Sequence, residues 1–156
     1  MGLFDRLRRV LPGRAPAEPF ARGAHLLERG RLAAAEAAFA EALAAAATPA
    51  ELAAVRNKRA IVAIQRGARE QAVAELVLAL EADPRGVAAI VTVGNLLLED
   101  GDVAEAVEHY EYALLIDPDY GPAYHNLGVA LHRQGRKSEA VRMLRKATRL
   151  EGRIRR

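Results

Sequence analysis

The sequence predicts an all-α protein: an α-solenoid of about four helix-turn-helix repeats, preceded by a short amphipathic N-terminal helix. Three observations carry that expectation. The chain repeats itself: Gly67, Gly101 and Gly135 lie 34 residues apart, and the same offset aligns Ala72, Ala106 and Ala140, then Leu76, Tyr110 and Leu144, then Ala79, Ala113 and Ala147. Within a unit the apolar residues recur at helical spacing, as Tyr124, Leu127, Gly128 and Leu131 do before the turn at Gln134-Gly135-Arg136 and Ala140, Val141, Leu144 and Ala147 do after it. The composition suits closely packed helices, since 51% of the 156 residues are hydrophobic but only 4% aromatic, with no Trp and fourteen alanines between Arg31 and Ala54.

In chain order, residues 1–11 form the amphipathic helix, with Leu3, Phe4, Leu7, Val10 and Leu11 on one stripe and Asp5, Arg6, Arg8 and Arg9 outside it. Pro12, Gly13, Pro16 and Pro19 mark residues 12–19 as a linker that overlaps the start of the array. The array spans 16–151, with units at about 16–52, 53–86, 87–120 and 121–151. The first copy, marked by Gly23, Gly30, Ala35, Phe39 and Ala42, precedes the second by 37 residues, so three residues are inserted around Ala44 to Ala50. In the second copy Arg56 and Arg59 stand where later copies have Ile90 and Val93, then Tyr124 and Leu127; the first copy has Pro19 and Arg22 there. The glycine after each first helix suits a left-handed cap. Asp83-Pro84 and Asp117-Pro118 close their units, because proline disfavours helical geometry in the residue before it and suits a new helix start. Small residues at Gly128 and Ala140 allow backbones to approach, and Leu144, Tyr110 and Phe39 fill the space between neighbouring pairs. Residues 152–156 form a basic tail.

Charge is unevenly placed. Residues 1–14 carry a net +3 and residues 133–156 a net +8, while residues 15–132 carry a net −8, so the formal +3 conceals an acidic body between basic ends. The absence of Cys excludes disulfides, thiolate metal sites and a cysteine nucleophile, and makes a cytosolic location the default expectation. Val87 to Leu98, the longest strongly apolar uncharged stretch, has only twelve residues, too few to cross a bilayer as a helix.

The Leu127-Gly128, Leu131, Ala140, Leu144, Ala147 pattern, with Gly94, Leu97, Ala106, Tyr110, Ala113 and Pro118 in the preceding copy, resembles the tetratricopeptide repeat family over about residues 16–151. The resemblance implies a right-handed superhelix whose concave wall, built from first helices, holds a peptide or partner helix without chemistry. The face at i, i+4 and i+7 that is not used for packing carries Asn57, Ile61 and Ile64; then Val91, Asn95 and Leu98; then His125, Val129 and His132. That alternation makes Asn57, Asn95, His125 and His132 candidate partner-binding residues, with the apolar neighbours expected to be open to a ligand, and the family resemblance adds Asn126. In peptide-binding members of the family, asparagines on successive first helices hydrogen-bond the bound peptide, and Asn95 and Asn126 match that pair. The lysine one turn before the first of them is Val91 here, which argues against a clamp for a terminal carboxylate.

His125 and His132 are two helical turns apart, about 10.5 Å, too far to share one ion, so no metal and no cofactor is expected. Catalysis is not expected either. Ser138 is the only serine, at a helix start, and the glycines follow the repeat rather than a phosphate-binding motif. The basic C-terminal helix lacks stacking aromatics, which disfavours nucleic acid as partner. For residues 1–11 the sequence leaves two readings open: a peripheral contact of Leu3, Phe4, Leu7 and Leu11 with the inner membrane surface, or packing against protein. The function expected is a cytoplasmic scaffold for a protein or peptide; the alternative is a homo-oligomer assembled by its acidic body and basic C-terminal helix.

Overall fold

The structure, a computed structural model, describes residues 17–154. The amphipathic segment with Leu3, Phe4, Leu7 and Leu11 lies outside the described residues. Among the described residues eight helices follow one another: α1 (Ala17–Glu28), α2 (Leu32–Ala45), α3 (Pro49–Gln65), α4 (Arg69–Ala82), α5 (Val87–Asp100), α6 (Val103–Ile116), α7 (Gly121–Arg133) and α8 (Lys137–Ile154). Among the described residues there is no strand, and the expected all-α solenoid of helical repeats is the fold observed.

The turn inside each pair is built the same way. Gly30, Gly67, Gly101 and Gly135 all adopt positive φ, between 68° and 90°, a conformation that costs a side-chain-bearing residue energy and glycine none. In each case the residue after the glycine donates its N–H to a carbonyl five positions back, as Arg136 does to Leu131 at 2.9 Å and Ala68 to Ala63 at 2.9 Å. These bonds satisfy carbonyls that the helix end would leave bare. Between pairs, the Asp83 and Asp117 side chains accept the N–H two residues on at 3.0 Å and so tighten the Asp-Pro turns. The junction after α2 is different. Thr48 and Glu51 form a reciprocal capping box at the start of α3, and Glu51 also accepts the N–H of Ala47 at 2.8 Å. These backbone donors hold the Glu51 carboxyl below its ordinary range.

Packing within pairs rests on small against large. Tyr110 is fully buried, and a Cβ added at Gly94 of α5 would lie 2.6 Å from its ring; Phe39 stands in the same relation to Gly23 (2.6 Å) and Leu144 to Gly128 (2.8 Å). The repeat-spaced alanines at 35, 72, 106 and 140, and at 42, 79, 113 and 147, are all buried. The large residues also reach the following pair: Phe39 shares a core with Val55 and Val62 of α3, and Tyr110 with Ala123, Leu127 and Ala130 of α7.

First helices touch one another along the array (α1 with α3, α3 with α5, α5 with α7), whereas second helices meet only first helices. A stack tied together along one edge and open along the other curves, so the first helices line its inner wall. At the C-terminal end the expected apolar face of α8 is partly uncovered. Val141 is 46% exposed and Leu144 only half-buried, where Val107 and Tyr110 of the preceding repeat are covered by α7; among the described residues no first helix covers α8 in that way.

Candidate functional site

The inner wall carries a cleft of about 370 Å³ across three first helices. Asn57, Lys58 and Ile61 of α3, Val91, Thr92 and Asn95 of α5, and Pro122 and Asn126 of α7 line it, with Phe20, Ala54, Ala88 and Tyr120 completing the surface. Polar groups at successive first helices meet here because the 34-residue period puts Lys58, Thr92 and Asn126 at one helical position and Ile61, Asn95 and Val129 at another.

Asn95 is fixed by its neighbours. Its side-chain oxygen accepts the Tyr110 hydroxyl at 2.8 Å and the Asn126 amide N–H at 2.8 Å. Both bonds use the acceptor capacity of the Asn95 oxygen. Burial pushes the Tyr110 phenol up to about 12, which keeps it a hydrogen-bond donor throughout the physiological range. Asn57 differs: its residue is buried and its side-chain oxygen has no hydrogen-bond partner. A buried acceptor left unsatisfied costs about 1–3 kcal/mol. Among the lining residues Lys58 is the one charged group, so the surface is mostly apolar, with a few polar side chains and a weak positive charge.

Of the residues expected from sequence, Asn57, Asn95 and Asn126 converge on this cleft. His125 and His132 do not; both are exposed on α7 away from its lining. The apolar neighbours also differ from expectation, for Val91 and Leu98 are buried rather than open, sharing a core with Ile90 and Leu127. Asn57, Val91 and His125 are equivalent positions, and the first two are covered because another first helix lies beyond them. His125 has no such neighbour. The open surface therefore sits about one turn nearer the N-terminal ends of the first helices than the i, i+4, i+7 choice placed it. Thr92, Lys58 and Tyr120 were missed for that reason, and the 34-residue alignment of Lys58 and Thr92 with Asn126 was the signal that could have found them.

Among the described residues, no cluster of three or more His, Asp or Glu side chains could hold a metal ion, and no helix is long and apolar enough to cross a membrane.

A family model described as the TPR repeat matches residues 94–135, and one described as the tetratricopeptide repeat matches residues 123–150. No curated protein sequence matches the chain. Among solved structures, the chain is similar to MamA (TM-score 0.61, 20% identity, covering 97% of this chain and 86% of that one). It is also similar to YrrB, described as a TPR protein with an unusual peptide-binding site (TM-score 0.58, 20% identity, 90% and 71%). A third likeness is to pilF of Pseudomonas aeruginosa (TM-score 0.70, 22% identity, 88% and 61%). At these identities the likeness is one of fold.

Proposed function

The chain is a tetratricopeptide-repeat protein, and from that premise we propose that it is a non-enzymatic adaptor holding an extended peptide of a partner protein in the cleft of Asn57, Asn95 and Asn126. The fold supports a protein-interaction scaffold in general. The observation that carries the specific reading is the pairing of an unsatisfied buried acceptor on Asn57 with an Asn95 amide locked by Tyr110 and Asn126. A peptide backbone offers alternating N–H and C=O groups along its length, the complement of such a ladder. The YrrB description, a TPR protein with a peptide-binding site, agrees with that class of ligand.

The test is fluorescence anisotropy of a fluorescein-labelled degenerate nonapeptide pool against the full chain. Wild type binds, and Asn57→Ala/Asn95→Ala loses at least tenfold in affinity while keeping a cooperative melt. Equal binding by the folded double variant would remove the asparagines from the reading.

Membrane recruitment by Leu3, Phe4, Leu7 and Leu11 is a separate part of the proposal. Equal liposome flotation of the full chain and of a chain starting at Ala15 would sink it. Head-to-tail oligomers are the alternative, in which the acidic body of one copy, beginning at α1, stacks on the basic C-terminal helix α8 of another. The burial pattern weighs against them. Where α3, α5 and α7 bury Val55 and Val62, Ala89 and Leu96, Ala123 and Ala130, α1 has exposed Glu18 and His25. Light scattering that reports salt-sensitive oligomers would favour the alternative.

A further inference from the structure

Beside the cleft lies a second cavity of about 220 Å³, walled by Ala42, Ala45 and Ala46 with Ala54, Val55 and Phe20. It shares Phe20 and Ala54 with the asparagine cleft, so the two form one continuous surface. We propose that this cavity is a specificity subsite that takes a single aliphatic or aromatic side chain of the peptide lying along Asn57 and Asn95. The inference rests on the peptide-binding reading above.

It lies where the three-residue insertion falls. The loop between α2 and α3 has three residues against four at 83–86 and at 117–120, and α3 has 17 residues against 14 in α5 and 13 in α7, so the inserted residues lengthen the N-terminal end of α3 beside the cavity. The wall residues are too small to fill it. Ala45 corresponds to Ala82, Ile116 and Leu150 in the later repeats, and Leu150 is buried. An alanine in place of the larger side chains leaves a hole of the kind that accepts an apolar guest; an enclosed cavity of ~150 Å³ suffices for benzene. Glu51 also lines the cavity, where its Oε2 accepts the N–H groups of Ala47 and Thr48. Phe20 sits edge-on to Phe39, with ring centroids 5.9 Å apart, and forms a fixed aromatic wall between cavity and cleft.

Two measurements test the proposal on the full chain. Titration with N-acetyl-leucinamide and N-acetyl-phenylalaninamide, followed by amide NMR, should shift Ala45, Ala46 and Ala54 saturably, and N-acetyl-serinamide should not. Equal shifts from the serine compound would overturn the proposal without any variant. In a positional scan of the nonapeptide pool, wild type should select apolar residues at one position. Ala45→Leu, which restores the residue type found at Leu150, should lose that selection at least tenfold while still binding the pool. No selection in wild type, or the same selection in Ala45→Leu, defeats the subsite. Failure of the cleft reading looks different: the pool does not bind wild type at all, and the subsite falls with it.

Discussion

The α3–α4 and α5–α6 hairpins have the same backbone plan and hold their helices together by different chemistry. In α5–α6 the contact is apolar and aromatic, with Ile90 buried and Tyr110 pressed on Gly94. In α3–α4 the positions of Ile90 and Val93 are Arg56 and Arg59, and both guanidiniums reach Glu75 of α4 at 3.0 Å. Glu75 is 7% exposed, and its equivalents in the next two repeats are His109 and Met143. The geometry of the repeat thus depends on a small residue at 60, 94 or 128 facing a large one at 76, 110 or 144, and the remaining contacts can be ionic or apolar. The family models match only residues 94–150, where the apolar version stands.

The largest effect should come from the aromatic side of this comparison. Tyr110→Ala removes a fully buried ring and is expected to cost ~3–5 kcal/mol in chemical denaturation. A shift in midpoint worth less than 1 kcal/mol would contradict the wedge role. On the ionic side Glu75→Ala leaves two facing cations, and we expect a loss of about 2 kcal/mol. That is below the roughly 3–5 kcal/mol of a fully buried pair, because the two arginine side chains are 23% and 21% exposed and gain water. The triple change Arg56→Ile/Arg59→Val/Glu75→Met should instead be neutral or stabilising, by up to ~4 kcal/mol. A triple variant less stable than Glu75→Ala would mean that the ionic cluster sets the hairpin geometry.

Glycine sharpens the comparison further. Gly94→Ala puts a Cβ 2.6 Å from the Tyr110 ring and should cost ~1–3 kcal/mol, whereas Ala60 already faces Leu76 without harm. Most of the loss should therefore return in Gly94→Ala/Tyr110→Leu, measured by thermal melting. The smallest effect is electrostatic. The Tyr110 phenol is raised from 10 to about 12 by burial, so the fold favours its protonated form: stability is complete below pH 10 and falls as pH rises toward 12. Phenolate absorbance should report its ionisation only near pH 12, with helicity falling between those values, and Tyr110→Phe should flatten that part of the profile. A phenolate signal at pH 10 that is lost in Tyr110→Phe, with helicity intact, would place the ring in water.

Much of the fold could be read from residues close together in sequence. The glycines at 67, 101 and 135 announced the left-handed turns, and the spacing of Ala72, Ala106 and Ala140 announced the buried face, since both depend on local dihedrals and helical periodicity. The site was read less completely. Three asparagines were legible as polar residues on first helices, but which face stayed open was not, because Val91 and Leu98 are covered by a helix that comes later in the chain. The fate of Arg56 and Arg59 was hidden likewise, as Glu75 joins them only after the hairpin closes.

By itself the sequence determined the period, the helix stops and the pairing of small with large residues, all set by interactions within about 34 residues. Tertiary structure decided where the inner wall is open, how two arginines came to share one carboxylate, and that a cavity lies between α2 and α3. Each of these is a question of which side chain from another helix occupies a given volume, and burial is a property of the assembled array rather than of any one helix.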